Sequence, residues 1–408
     1  MAKKEKEKKA LEKKQWVSSF NLVGVANVSD YTFSMDQKSE KSDWIYHRMN
    51  LQVDCGEKHG KVSAQMMGGF GEERDNVIFV HGKDDKGNDD FKNTYTIDWD
   101  DRFDESILED IGSMSFLTVG LERDSKDKVF YKKFLTPYDA IAYIQEHLED
   151  GMVVNVKGNL KYQLYNDSVT CQKEITSIAL SSAGPDKYRA TFLQTMLIDN
   201  DSATKNDVDK EKSVINVSAY ILEKFKEFNN YDLTSKENKG GIYVPLMKNF
   251  EFAVNIDKPD TIVGVLNKIF KVKKGVDQIT FEGYFTENGA AVTTTEDDLP
   301  DDIKELIDLG LYTLEEALAR CSTNGAKEKR MILTKPAIKL VGEEDNKTPV
   351  VQRIDNIYEE EDLMLDCLVK REDEEVPFEE DSEADESDVS SDTDSEDDEL
   401  EKLLASLD

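Results

Sequence analysis

Val154-Asn155-Val156-Lys157-Gly158-Asn159-Leu160 and, further along the chain, Ile279-Thr280-Phe281-Glu282-Gly283-Tyr284-Phe285 share one layout: alternating apolar residues around an interior glycine. A glycine inside a strand pattern marks a bend, a bulge or a close backbone approach. Both stretches follow a helix pattern. Pro137 to Leu148 repeats Ala140, Ile141, Ile144 and Leu148 at helical spacing and stops at Gly151; Thr261 to Phe270 is likewise followed by a glycine and then by the strand Gln278 to Phe285. Upstream, Trp16 to Val25 resembles Tyr188 to Ile198 in length and pattern. These matches predict an internal duplication.

Working outward, Trp16 to Val28 and Trp44 to Val53 alternate as half-buried strands do, with Trp44, Tyr46, Asn50 and Gln52 on one face and Ile45, Met49, Leu51 and Val53 on the other. Lys61 to Met67, Val77 to Val80, Thr94 to Trp99, Phe116 to Leu121 and Val129 to Phe134 are further short strands, and Gly68-Gly69-Phe70-Gly71 reads as a mobile hairpin. Met152 to Leu164 and Val169 to Leu180 close the first block through a turn at Asn166, and Glu328 to Leu340 closes the second. Several curved strands, one helix and two more strands is the order of a five-stranded Greek-key barrel of the OB type. The predicted fold is therefore mainly β, with two tandem OB-like barrels, each carrying a helix before its last two strands. The expected segments are a basic disordered arm over 1–15, barrels over 16–182 and 183–345, and an acidic disordered tail over 346–408. Within the second barrel, residues 299–321 form a helical hairpin insertion, with Pro300 in a first turn, Gly310 as a stop, and Thr313 and Glu316 at capping-box spacing.

The chain of 408 residues has a formal net charge of −34, and Tyr358 to Asp408 holds 24 of its 86 acids but only 3 of its 52 bases. Such a segment buries too little apolar surface to offset the entropy of ordering it. It ends in Leu400, Leu403, Leu404 and Leu407 at i, i+3, i+4 and i+7, an apolar face suited to a partner protein. Residues 1 to 357 keep 62 acids against 49 bases, so a nucleic-acid surface has to be a local stripe on an acidic body. Cys55, Cys171, Cys321 and Cys367 are scattered singly, which fits a reducing cytoplasm, and no apolar run reaches membrane-spanning length.

Binding an unpaired strand without sequence preference requires cations for phosphates and flat rings for bases. Lysine and arginine interleave with rings at Trp44, Tyr46 and Arg48; at Phe79, His81 and Lys83; at Tyr131 and Lys132; and at Lys161, Tyr162 and Tyr165. The second block offers Lys224 and Phe225, Lys248 and Phe250, Lys271, and Tyr284. Residues two apart on a strand share a face, so Trp44, Tyr46 and Arg48 present two rings and a guanidinium together. The plain alternative for any one ring is that it fills a core. Four dispersed histidines offer no catalytic triad, no P-loop or dinucleotide fingerprint occurs, and no cofactor or metal is expected. Asp98 and Asp100, on one strand face, keep a metal-dependent nuclease open, and a non-DNA-binding scaffold is the other alternative.

Gly151 to Leu160 with Tyr162, Tyr165 and Lys173-Glu174-Ile175, together with the acidic tail and its apolar tip, resembles the end of single-stranded DNA-binding proteins, specifically phage-encoded ones with tandem OB domains. The resemblance implies single-stranded DNA as ligand and replication proteins as partners of the tail; two barrels in one chain, replacing those a homo-oligomer supplies, predict a monomer. The tail departs from the bacterial ending of acids followed by Ile-Pro-Phe; the nearest match, Glu374-Glu375-Val376-Pro377-Phe378, is internal, so Val376 and Phe378 compete with the leucines for the partner-binding role. A flexible polyanion tethered near a cationic groove is also expected to compete for it until DNA arrives.

Overall fold

Gly158 and Gly283 each lie directly opposite a phenylalanine, Phe20 and Phe192 respectively. A Cβ on Gly158 would strike the carbonyl oxygen of Glu174 and come within 2.8 Å of the Phe20 ring; one on Gly283 would strike the Phe192 ring and lie 2.5 Å from the Ile332 oxygen. Neither position admits a side chain. In both places the last strand skips one residue, Thr176 or Thr334, and that threonine hydroxyl donates back to the carbonyl of Lys157 or Glu282. The duplicated glycine thus marks a duplicated bulge.

The computed structural model describes residues 9–364, apart from residues 167, 230, 236–237, 288–303, 305–306, 308–312, 314–328 and 343–346. The first block contains β1 (Ser18–Asn27), β2 (Trp44–Asp54), β3 (Lys61–Gly71), the hairpin β4 (Val77–Lys83) and β5 (Asp89–Asp98), the hairpin β6 (Leu117–Arg123) and β7 (Val129–Phe134), α1 (Pro137–His147), β8 (Val153–Tyr165) and β9 (Ser168–Leu180). β1 pairs with β2 and β8, β2 with β3, β8 with β9, and β9 returns parallel to β3 through Glu174 and Gln65. The ring is closed, in OB order.

The second block repeats it with β10 (Arg189–Ile198), β11 (Val214–Phe225), β12 (Ile242–Ala253), α2 (Pro259–Val265), β13 (Val276–Thr286) and β14 (Arg330–Pro336), closed by a parallel pairing of Glu251 and Phe252 with Ile332 and Leu333. Two further strands, β15 (Ile338–Val341) and β16 (Thr348–Val351), form a hairpin, and β17 (Arg353–Tyr358) adds to β13.

Alternation explains the interior. Met49, Leu51 and Val53 of β2 and Val62, Ala64 and Met66 of β3 point inward and are buried, and Ala140, Ile141, Tyr143 and Ile144 of α1 close one end. α1 starts where Thr136 accepts a hydrogen bond from the Asp139 amide ahead of Pro137, a cap that contributes about 1 kcal/mol. The Gly68-Gly69-Phe70-Gly71 stretch, expected as a mobile hairpin, instead continues β3, paired with Trp44 to His47. Its glycines have a steric reason, because a Cβ on Gly68 would meet the Pro137 ring at 2.7 Å.

The two barrels are joined lead strand to lead strand. β1 and β10 pair antiparallel from Ser18 opposite Gln194 to Val23 opposite Arg189, with Phe20 facing Phe192 near the centre. Around this seam, Ser18 and the Tyr162 hydroxyl both donate to Gln194 Oε1 at 2.8 and 2.9 Å, and Lys173 pairs with Glu287 at 2.7 Å with both side chains buried.

Residues 9–15, inside the expected basic arm, pack on the second barrel. Leu11 is buried with Leu197, Leu222, Val276, Ile357, Tyr358 and Leu363, and the Glu12 amide donates to the Tyr358 hydroxyl. Packing likewise continues past 346 to Leu363. The insertion expected over 299–321, save Lys304, Ile307 and Thr313, and the tail from 365 onward lie outside the described residues.

Candidate nucleic-acid interface

The outward residues of β2 are Trp44, Tyr46, Arg48, Asn50 and Gln52, since the alternate positions fill the core. The Trp44 and Tyr46 rings stack with centroids 4.7 Å apart and planes 17° from parallel, each half-buried. Across the ladder Trp44 faces Gly71, Tyr46 faces Gly69 and Arg48 faces Met67, which is 48% exposed. With no side chain at either position, Tyr46 packs closely over Gly69, and Gly71 is buried.

Cations frame this patch. Arg48 is exposed and has no carboxylate partner among the described residues. Arg74, held by Asp43 at 3.4 Å, lies where a Cβ of Gly71 would stand, bringing a second guanidinium beside the position opposite Trp44. The face then runs through neutral amides, with Gln65 donating to Gln172 at 3.0 Å. Its carboxylates are engaged: Glu174 by Lys161 at 2.7 Å, and Asp54 by the Gly56 amide, with Lys61 opposite Asp54 on the next strand.

Behind the rings, inward-pointing His47 stacks on Tyr138 at 3.6 Å and bonds Asp36 and the Tyr138 carbonyl, tying β2 to the start of α1. The Tyr138 hydroxyl and then His47 hold the Asp36 carboxyl below the usual carboxylate range, while burial and Asp36 push the Tyr138 phenol up to about 12.

The other expected contacts scatter. Phe79 is 81% exposed on β4 and Tyr165 is exposed near the end of β8; Tyr131 is exposed and its ring covers Gly120. Lys83 donates to the Glu109 carbonyl, and Lys132 is held by Glu122 at 3.3 Å and by the Tyr143 ring. Several expectations are overturned. Tyr162 and Phe250 are buried, Tyr162 in the seam, where the second barrel covers it, and Phe250 in the second core, where strand alternation turns it inward. Lys248 donates to the Val169 carbonyl, and burial lowers its pKa. Phe225 packs on Phe228, and Tyr284 is half-buried between Lys58 and His59. Lys224 and Lys271 remain exposed, Lys224 with its ammonium 5.9 Å from the Tyr243 ring. Leu400, Leu403, Leu404, Leu407, Val376 and Phe378 lie outside the described residues.

His81 shows an arrangement its sequence position did not announce. Asp89 can only accept, so His81 Nε2 donates to it at 2.7 Å and Nδ1 accepts from the Ser115 hydroxyl at 2.9 Å. The Ser115 oxygen also accepts the His81 amide, and Asp89 accepts from Ser113 and the Met114 amide. Fully engaged, the group latches the β4–β5 hairpin to the turn at Ser113–Ser115. The Met114 amide first, then Ser113 and His81, lower the Asp89 carboxyl to about 2.

Sequence reading missed Met67, Gly69, Gly71 and Arg74. The signal was there: joining β2 and β3 through the tight turn around Gly56 and Gly60 sets the register that places glycines opposite both rings.

No protein-family description matches the sequence, and no curated protein does. The fold is similar to two crystal structures of the single-stranded DNA-binding protein from Thermus aquaticus. One is a deletion and substitution variant (TM-score 0.29, 9% identity, covering 66% of this chain and 87% of that one) and the other the wild type (TM-score 0.27, 8% identity, 66% and 86%). The barrel assignment rests on the strand pairing above.

Proposed function

We propose that this chain binds single-stranded DNA without sequence preference along the outer face of its first barrel. The observation that carries the reading is the stacked Trp44–Tyr46 pair beside the glycines of the next strand, flanked by Arg48, which has no carboxylate partner among the described residues. Bases stack on the two rings, where each stacked base contributes about 1–3 kcal/mol, while Arg48 and Arg74 take phosphates. The neutral amides of Asn50, Gln52, Gln65 and Gln172 carry the strand on without charge repulsion. Exposed Phe79, Tyr131 and Tyr165 are candidate further stacking points.

On this reading the chain is a non-enzymatic monomer that covers unpaired DNA during phage replication and recombination in the host cytoplasm, and its acidic C-terminal segment recruits replication proteins. The test is titration of labelled oligo-dT, read by fluorescence anisotropy, at two salt concentrations. Binding that weakens with salt at a log-log slope near −0.7 per phosphate, and that is lost in Trp44→Ala/Tyr46→Ala, is the expected result. Equal affinity of that double variant overturns the assignment. Magnesium-dependent degradation of the oligonucleotide would instead reveal a nuclease.

A further inference from the structure

The second barrel carries a cleft of about 190 Å³ between the loop after β10 and the end of its helix. Its floor is apolar, formed by Phe270, Leu266 and Ala203, all buried. Asn200 and Asn267 stand on its walls with no side-chain hydrogen bond to any described residue, and Lys205 and Lys271 are exposed at its edge. Among the described residues no carboxylate lines it, in a chain where acids outnumber bases 86 to 52, and neither lysine has an ion-pair partner. Of the acids in the adjoining loop, Asp207 is tied up by the Thr204 hydroxyl and amide at 2.6 and 2.7 Å, Asp199 accepts from the Ser202 hydroxyl and the Asp201 amide at 3.1 and 3.0 Å, and Asp201 is exposed to solvent.

The wall is held from behind. Leu266 to Phe270 wind as a single π turn, with the Lys271 amide reaching back to the Leu266 carbonyl at 2.9 Å. Such turns persist where surrounding structure fixes them and occur often at functional sites. Here Arg353 of β17 does the fixing, donating to the carbonyls of Ile269 at 2.7 Å and Lys271 at 3.1 Å while its Nε bonds Asp277. Asn267, Lys271 and the Leu266 and Phe270 part of the floor are thereby presented together.

We propose that this cleft binds a mononucleotide. The flat base lies on the apolar floor, its donor and acceptor edge meets Asn200 and Asn267, and the phosphate sits between the ammonium groups of Lys205 and Lys271. The site is separate from the Trp44 face and does not depend on it.

The experiment is calorimetric titration of the full chain carrying Trp44→Ala and Tyr46→Ala, with dTMP, thymidine, ribose 5-phosphate and inorganic phosphate as separate ligands. The expected result is one dTMP per chain, bound at least about tenfold more tightly than any of the other three, and at least about tenfold more weakly once Lys205→Ala and Lys271→Ala are added. Ribose 5-phosphate or phosphate binding as well as dTMP would overturn the base assignment. Persistence of dTMP binding in the lysine variant, or its absence from the starting protein, would overturn the site. Because the rings of the first barrel are already removed, none of these outcomes bears on oligo-dT binding by that barrel.

Discussion

The two barrels share a frame and differ in what they show to solvent. The parallel pairing of Gln65 with Glu174 in the first corresponds to that of Glu251 with Ile332 in the second, so equivalent positions can be read off strand by strand. At one such place the Gln65–Gln172 amide contact is replaced by the ion pair of Glu251 with Arg330 at 2.5 Å. The positions matching Trp44 and Tyr46 are Lys210 and Lys212, in the turn before β11, so the second barrel has no stacked rings there. The inward glycine, its facing phenylalanine and the bulge are kept in both. The two barrels share what closes them and differ in what faces outward.

The seam offers the strongest way to break this comparison, since both barrels depend on it. Glu287→Ala should cost about 3–5 kcal/mol in urea unfolding, because Lys173 is left buried without its partner, whereas Lys173→Met with Glu287→Leu should come near wild type. A single change that proved harmless would mean the barrels are held elsewhere.

Next, Gly158→Ala and Gly283→Ala should each cost about 3 kcal/mol, at the upper end for overpacking, in the same urea unfolding experiment. Unequal losses would show that the two bulges are equivalent in register only. On the binding side, removal of either Trp44 or Tyr46 should weaken oligo-dT binding by about 1–3 kcal/mol, while Met247→Ala on the second barrel's outer face should leave it within twofold. Arg48→Ala should lower the salt slope by about 0.7.

The smallest effect concerns acid. The Asp89 carboxyl is lowered in the folded state to about 2 from an ordinary value near 3.8, so its support of the β4–β5 latch is complete above that ordinary value and disappears as pH falls towards 2. Hydrogen exchange of the hairpin amides should therefore accelerate between pH 4 and pH 2. Asp89→Asn should exchange fast throughout that range.

Much of the frame was legible because it is periodic. Alternation in β2 assigned Met49, Leu51 and Val53 to the core and Trp44 and Tyr46 to the other face, and the paired glycines announced the repeat. What escaped was anything set by distant contact. Tyr162 looks like a binding ring beside Lys161, yet a strand from the other barrel closes over it. Leu11, a lone apolar residue in a lysine-rich run, gave no sign of its place against Tyr358, a partner at the far end of the described chain. Local charge and ring spacing report which residues are available; only tertiary packing decides which remain uncovered.

The antiparallel ladder between β1 and β10 has one more consequence. Each of these strands presents its unoccupied edge to its twin, so the pairing that would otherwise invite a second molecule is satisfied within one polypeptide. This contact between the barrels is therefore covalently tethered and independent of concentration, and its two sides need not be identical, as they must be in an assembly of identical subunits.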